Sequence, residues 1–312
     1  MRKAPPGCED GDGQAGLDAE VRNLVDLALN EDVGEGDWTT LWTVGRNTRA
    51  EALVMAKEAL IVAGGLVVRR VFLAVDPDIE VDFLVSDGVE IEVGTSILRV
   101  KGGARGILTA ERTALNFLGR LSGIATLTRK FVEAVEGHKA RILDTRKTTP
   151  GWRALEKWAV DIGGGVNHRM GLDDMILVKD NHILAAGGLR EAVLRVRERN
   201  EAGLPVEVEV VRAEQVEELR EFGVDRILLD NMDEREIRQV VARVSAWPAP
   251  RPELEASGNM TLERVRGVAE TGVDWISVGA LTHSVRSVDL SLRLTGSPGH
   301  RLPREGTSLD PS

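Results

Sequence analysis

From residue 141 onward the apolar positions of the chain follow two rhythms in turn. Short runs rich in branched aliphatic residues, ARILDTRK (140–147), DMILVKDN (174–181), VEVEVV (206–211), RILLDN (226–231), ELEASG (253–258) and DWISVGAL (274–281), alternate with longer stretches. In those stretches, 188–200, 213–223, 233–244 and 261–272, apolar residues recur every three or four positions. The first rhythm predicts strands and the second helices, and repeated βα units with short connections predict a parallel sheet. No dinucleotide-type glycine fingerprint follows the first strand. That favours a closed or nearly closed βα barrel, with a doubly wound open sheet as the alternative. Six strands are clear and Val160–Gly164 is a candidate seventh, so the barrel is expected to be incomplete.

Upstream the pattern differs. Leu17 to Asn30 reads as an amphipathic helix, with Leu17, Val21, Leu24, Val25 and Ala28 on one stripe. A glycine-rich loop, EDVGEGDWTT, follows. Between Arg49 and Gly103 alternating β-type segments flank the helical stretch LVVRRVFLAV (66–75), which predicts an α+β domain. Thr109 to Val135 reads as helix, capped by Thr109 and divided in two at Ser122-Gly123. Residues 1–16 and 296–312 are rich in glycine, proline and polar residues and are expected to be disordered tails.

Composition narrows the function classes. Lys and Arg number 40 against 50 Asp and Glu, a net charge of −10, which argues against a nucleic-acid partner. The lone cysteine, Cys8, rules out a disulfide framework within the chain and a Cys-based zinc site, and suits a cytoplasmic location. No apolar run approaches the roughly 18 residues of a membrane span, and the basic start lacks the apolar stretch of a signal peptide.

The candidate chemistry lies at the strand ends: DTRK, VKDN, VEVEV, LLDN, EASGN and SVGAL. In a βα barrel these ends share one mouth, where active sites are built. They would gather Arg146, Lys147, Lys179, Glu209, Asp230, Ser257 and Gly279. In VEVEV the alternation aims Glu207 and Glu209 the same way. Buried unpaired carboxylates are costly, so a cation must face them, either a protein base or a metal. The competing reading is an edge strand with one wet face. Glu209 and Asp230, on neighbouring strand ends, form a plausible Mg²⁺ site shared with a phosphorylated substrate. The cations Arg146, Lys147, His168, Arg169 and Lys179 suit a compact anionic ligand. His168 taken alone is equally a capping or core histidine. Ser257-Gly258-Asn259, before a helix, and Gly279-Ala280, after the last strand, have the character of phosphate-binding turns.

The string LDTRKTTPGWRALEKWAVDIGGGVNHRMGLDDMILVKDNHI strongly resembles the decarboxylating quinolinate phosphoribosyltransferase (nicotinate-nucleotide pyrophosphorylase) family. So do ERTALNFLGRLSGIAT (111–126), VEVEV, LLDNM, LEASGNM and SVGALTHS, and the resemblance runs from about Ala28 to Leu294. It implies an α/β protein with an N-terminal α/β sandwich domain (17–125) and a C-terminal incomplete βα barrel (126–285). Residues 286–295 would return to the first domain, and the chain would form a homodimer or larger oligomer. The implied reaction joins quinolinate to phosphoribosyl pyrophosphate with Mg²⁺, releasing pyrophosphate and CO₂ and leaving nicotinate mononucleotide.

By motif, Arg146, His168, Arg169, Lys179 and Arg112 resemble the quinolinate binders, with Arg112 supplied by the neighbouring subunit. Lys147 and Lys179 resemble the lysines beside pyrophosphate and the reacting carboxylate. Glu209 and Asp230 resemble the acids that hold the ribose and Mg²⁺. These four are the implied catalytic set. Ser257, Gly258, Asn259, Gly279 and Ala280 resemble the phosphate turns. Asn259 stands where the family often has glycine, and asparagine tolerates left-handed backbone. Three other readings compete: a sister group from molybdenum-transport operons acting on a different aromatic acid, a Schiff-base aldolase using Lys147 or Lys179, and a binding protein without turnover.

Overall fold

The computed structural model describes residues 11–295. Residues 1–10 and 296–312, including Cys8, lie outside the described residues. Residues 11–16, expected in the first tail, instead open helix α1 (Gly11–Val33). The described chain divides into two compact units, one reaching to Gly123 and resuming at Ser287, the other running from Ile124 to Arg286.

The first unit continues with α2 (Trp38–Thr43), β1 (Arg49–Ala56), β2 (Leu60–Ile61), α3 (Gly65–Val75), β3 (Glu80–Phe83), β4 (Glu90–Ile91) and β5 (Ser96–Gly103). Helix α2 begins inside the stretch expected to be loop, where Asp37 accepts the Thr40 N–H at 3.0 Å and caps it. The last strand of the chain, Leu290–Leu294, pairs antiparallel with β1 and gives a four-stranded sheet with β5 and β3. The inward residues Ala52, Val54, Leu98 and Val100 are buried, as are Val67, Val68, Val71 and Phe72 of α3. Helix α4 runs unbroken from Ala104 to Ala134, and the division between units falls within it. It is not divided at Ser122-Gly123, nor capped by Thr109. Ser122 Oγ is exchanged with the buried backbone of Ala63, and Leu121, Ile124 and Ala125 are fully buried. That packing outweighs the roughly 1 kcal/mol a mid-helix glycine costs.

The second unit holds β6 (Arg141–Leu143), α5 (Arg153–Ile162), β7 (Ile176–Val178), α6 (Asp180–Ala186), α7 (Leu189–Arg199), β8 (Val206–Val210) and α8 (Ala213–Glu218). Then come β9 (Arg226–Asp230), α9 (Glu234–Ser245), β10 (Glu253–Ser257), α10 (Leu262–Ala269), β11 (Trp275–Ser277) and α11 (Ala280–His283), with the Leu290–Leu294 strand as β12. The parallel sheet has the order β6-β11-β10-β9-β8-β7. Its first strand therefore pairs with its last, the signature of a barrel rather than an open doubly wound sheet. Val160–Gly164 is not a strand, because α5 occupies it to Ile162. The seventh contact is a single parallel bridge, Leu143 to Val166. Gly163 and Gly165 let this segment lie against α4, since a Cβ on Gly163 would sit 2.6 Å from Ala125 O. No strand pairing closes the gap between Val166 and β7 among the described residues, and the barrel is incomplete there.

Candidate active site

The C-terminal ends of the six strands and the segment after Val166 enclose a cavity of about 470 Å³. β6 contributes Arg146 and Lys147 just beyond its end, and the bridge segment contributes His168 and Arg169. Lys179 follows β7, Glu209 and Asp230 come from β8 and β9, and Ser257, Gly258 and Asn259 from β10. Gly279 and Ala280 are not in its wall. Gly279 lies beside it, where a Cβ would come 3.2 Å from Lys147 Cδ, and Thr282 donates to Lys147 O at 2.8 Å. Arg112 is in the other unit, exposed on α4.

The charges on the two sides of this cavity are handled differently. Lys179 Nζ reaches Glu209 Oε2 at 2.6 Å, so one acid and one base compensate each other. Arg146 Nε is buried with no hydrogen-bond partner. The Arg169 side chain donates only to Met175 O, at 2.9 Å, among the described residues. Burial and the neighbouring Arg146 both pull the Arg169 pKa down. Two guanidiniums that repel each other in one cavity, one with an orphaned donor, are chemically suited to an anion.

At the β9 and β10 ends the backbone turns left-handed: φ is 57° at Asn231, 95° at Gly258 and 47° at Asn259. Asn259 donates to Asn231 Oδ1 at 3.1 Å, and a Cβ on Gly258 would collide with the Asn231 side chain. Glycine is needed here, while asparagine serves at its neighbour. A larger cavity of about 910 Å³ lies at the opposite end of the strands, but its arginines are engaged: Arg197 by Phe222 O, Arg251 by Trp247 O, Arg220 by Glu217 and Arg190 over the Phe222 ring.

The family model described as quinolinate phosphoribosyl transferase, C-terminal domain, matches residues 124–293, and its N-terminal counterpart matches 37–122. The chain belongs to the quinolinate phosphoribosyltransferase family. It is 43% identical over 294 residues to the chloroplastic nicotinate-nucleotide pyrophosphorylase [carboxylating] of Oryza sativa subsp. japonica, covering 88% of this chain and 78% of that one. A probable nicotinate-nucleotide pyrophosphorylase of Synechocystis is 41% identical over 266 residues, covering 85% of this chain and 90% of that one. The solved nicotinate-nucleotide pyrophosphorylase of Francisella tularensis superposes with a TM-score of 0.84 at 38% identity, covering 89% of this chain and 96% of that one.

Beneath the cavity this phosphoribosyltransferase keeps a buried ionic cluster. All five residues of β8 are buried, so the strand has no wet face. Glu207 Oε2 lies 3.0 Å from His168 Nε2, and Glu255 Oε2 lies 3.4 Å from it. Arg226 Nη1 donates to the same Glu255 oxygen at 3.0 Å. Burial, then repulsion by Glu255, pushes Glu207 up to about 7. Burial opposes charge on His168, but Glu207 and Glu255 outweigh it and push the ring up to about 9. Arg169 N lies 2.7 Å from Nδ1 of that ring, which leaves Nε2 to face the two carboxylates. The three ligand-type atoms of His168, Glu207 and Glu255 lie within 4.8 Å of one another, but the Arg226 guanidinium already holds the charge a metal would neutralise. With both nitrogens engaged inside the protein, His168 offers the cavity its ring rather than a free donor.

Glu255 and Arg226 escaped the reading of the chain, although E-L-E-A-S repeats the alternation that singled out VEVEV. Asp144 and Lys157, both fully buried and ion-paired, escaped it too. Burial raises Asp144 to about 6 despite Lys157, and burial likewise pulls the Lys157 ammonium down. No local pattern marks these residues, because their partners lie 11 or more positions away.

Proposed function

We propose that the protein transfers the phosphoribosyl group of phosphoribosyl pyrophosphate to quinolinate, with loss of CO₂. The products are nicotinate mononucleotide and pyrophosphate, a step of NAD biosynthesis. The observation that carries this reading is the mutually repelling Arg146–Arg169 couple, with Arg146 Nε left without a partner, beside a compensated Lys179–Glu209 pair. Quinolinate bears two adjacent carboxylates, which two converging guanidiniums suit. Phosphoribosyl pyrophosphate needs cations at its pyrophosphate end, which Lys147 supplies, and backbone N–H groups at its 5′-phosphate, which the Ser257–Asn259 turn suits.

As pyrophosphate departs with the C1–O bond electrons, positive charge develops on the ribose. Glu209 and Asp230 at the strand ends stabilise that charge more than they stabilise the ground state. The quinolinate nitrogen then bonds to C1 and becomes cationic, and the ring draws the electrons of the C–CO₂ bond as CO₂ leaves. The carbanion left at C2 takes up one proton.

Mg²⁺ fits the donor set. It favours one or two carboxylates completed by substrate phosphates and water. Asp230 and the second oxygen of Glu209, on adjacent strands, supply these while Lys179 holds Oε2. The ion would offset the charge of the leaving pyrophosphate.

The reading also takes the protein to be a homodimer or larger oligomer, in which Arg112 completes the neighbouring subunit's site. Arg112 is exposed and makes no ion pair among the described residues. A cytoplasmic location belongs to the same reading and is supported by the lone cysteine, whereas the rice relative is named chloroplastic. Among the described residues no helix is long and apolar enough to cross a membrane.

The deciding assay supplies quinolinate, phosphoribosyl pyrophosphate and Mg²⁺ and identifies the product by mass. Nicotinate mononucleotide with stoichiometric CO₂ is expected. Turnover of nicotinic acid instead, or of neither acid, would overturn the assignment.

A further inference from the structure

Helix α5 lines no part of the cavity, yet its polar residues are spent on the two segments that do. Lys157, fully buried, pairs with Asp144 at the end of β6 and donates to His168 O at 2.9 Å. Asp144 in turn accepts the His168 N–H at 2.8 Å. Turned so that its nitrogen meets acceptors, the Asn167 amide donates to Asp144 Oδ2 at 2.7 Å and to Lys157 O at 2.9 Å. One helical turn earlier, Arg153 donates to Thr148 Oγ1 and to Met170 O, both at 3.0 Å. Glu156, also fully buried, accepts from Thr149 N at 3.1 Å and from Thr149 Oγ1 at 2.9 Å.

Two strips of backbone are thus tied to one rigid helix. The strip 144–149 carries Arg146 and Lys147, and the strip 167–170 carries His168 and Arg169. The second strip borders the gap between Val166 and β7, and among the described residues only the single bridge from Val166 to Leu143 pairs it with β6, so no ladder of strand hydrogen bonds sets the separation of the two strips. A buried ion pair adds little net stability over a well-packed apolar pair, so the arrangement calls for another purpose.

We propose that Arg153, Glu156 and Lys157 of α5, with Asp144, are positioning residues that set the spacing of Arg146 and Arg169 and so select an acid with two adjacent carboxylates. This rests on the quinolinate reading for its substrate, but the tethering itself does not depend on it.

Two variants test it. Arg153→Lys keeps the charge but loses the planar fork that reaches Thr148 Oγ1, Met170 O and Arg146 O together. Asp144→Leu with Lys157→Met removes both buried charges at similar volume. The first readout needs no substrate: amide hydrogen exchange over 167–170 in the free, full-length protein. Faster exchange there, with the β8–β10 amides unchanged, is expected for both variants, and unchanged exchange at 167–170 overturns the proposal whatever the enzyme acts on. The second readout is kinetic. KM for quinolinate should rise about tenfold or more, and by several times more than KM for phosphoribosyl pyrophosphate, which meets only Lys147 of the tethered strips, because an ångström of misplacement costs up to about a hundredfold. Equal losses for both substrates, or a fall in kcat alone, would also overturn it. If the double variant does not fold, Arg153→Lys decides. If the wild-type protein fails to turn over quinolinate, the assigned substrate falls while the exchange result still judges the tether.

Discussion

Lys179 Nζ, just past β7, meets Glu209 Oε2 on β8 at 2.6 Å, and the lysine side chain is 42% exposed. An ion pair this open to water contributes only about 0–1 kcal/mol. Its place in the wall of the cavity therefore points to chemistry rather than to folding. Lys179→Met should shift Tm by less than about 4 °C. It should lower kcat/KM by about a hundredfold or more, as removal of one preorganised electrostatic contact does elsewhere. Thermal unfolding and steady-state kinetics on one preparation check both. A large drop in Tm with a matching small drop in activity would make the pair structural.

Arg146 differs because its Nε is buried without a partner. A planar guanidinium grips a carboxylate through two parallel bonds, whereas an ammonium acts as a point charge. Arg146→Lys keeps the charge and loses the fork. Quinolinate affinity should fall about tenfold or more, with affinity for phosphoribosyl pyrophosphate preserved, measured by calorimetric titration of each ligand. Equal weakening of both ligands would refute that division of labour.

The His168–Glu207–Glu255–Arg226 cluster makes stability depend on pH in a defined direction. Glu207 is raised from 4.5 to about 7 and His168 from 6.5 to about 9. Both groups hold a proton more tightly folded than unfolded. Their stabilising contribution is fully present below the unfolded values and is lost as pH rises through the folded ones. Tm should therefore decline from about pH 4.5 to about pH 9, the Glu207 share being lost below about pH 7 and the His168 share above 6.5. Glu207→Gln, neutral at every pH, should flatten the lower part of that decline. Calorimetric scans across the range settle it, and parallel curves for the two proteins would remove the cluster as the cause.

What the chain discloses by itself follows from how far apart the interacting residues lie. The βα alternation is local, so the parallel sheet and the polar strand ends could be read directly, and Arg146, Lys179, Glu209 and Asp230 do meet around one cavity. Asn259 likewise takes the left-handed backbone its type allows, with φ 47°. Where tertiary packing overrides local preference the reading fails. The Ser122-Gly123 pair suggests a break, but Ala63 receives the serine and α4 continues. Val160 resembles a strand residue because the branched residues Val160 and Ile162 alternate with Asp161 just before a glycine run, although they close α5. Lys157 looks like one more surface lysine of a helix, and only its contact with Asp144 reveals it as buried.

Arg112 supplies the most direct test of the proposed assembly. It sits in the first unit, on the exposed side of α4, whereas the cavity is built entirely by the second. If a neighbouring subunit's Arg112 completes each site, Arg112→Ala and Glu209→Ala proteins should each be inactive alone yet complement when mixed. In a dimer formed by random exchange, half the molecules are mixed, and each mixed dimer has one site with both residues intact. Activity should then recover to about one quarter of wild type per subunit, as two-fold symmetry requires. Exchange is verified by native mass spectrometry of differently tagged chains. Proven mixed dimers without activity would return Arg112 to its own subunit, or remove it from the site altogether.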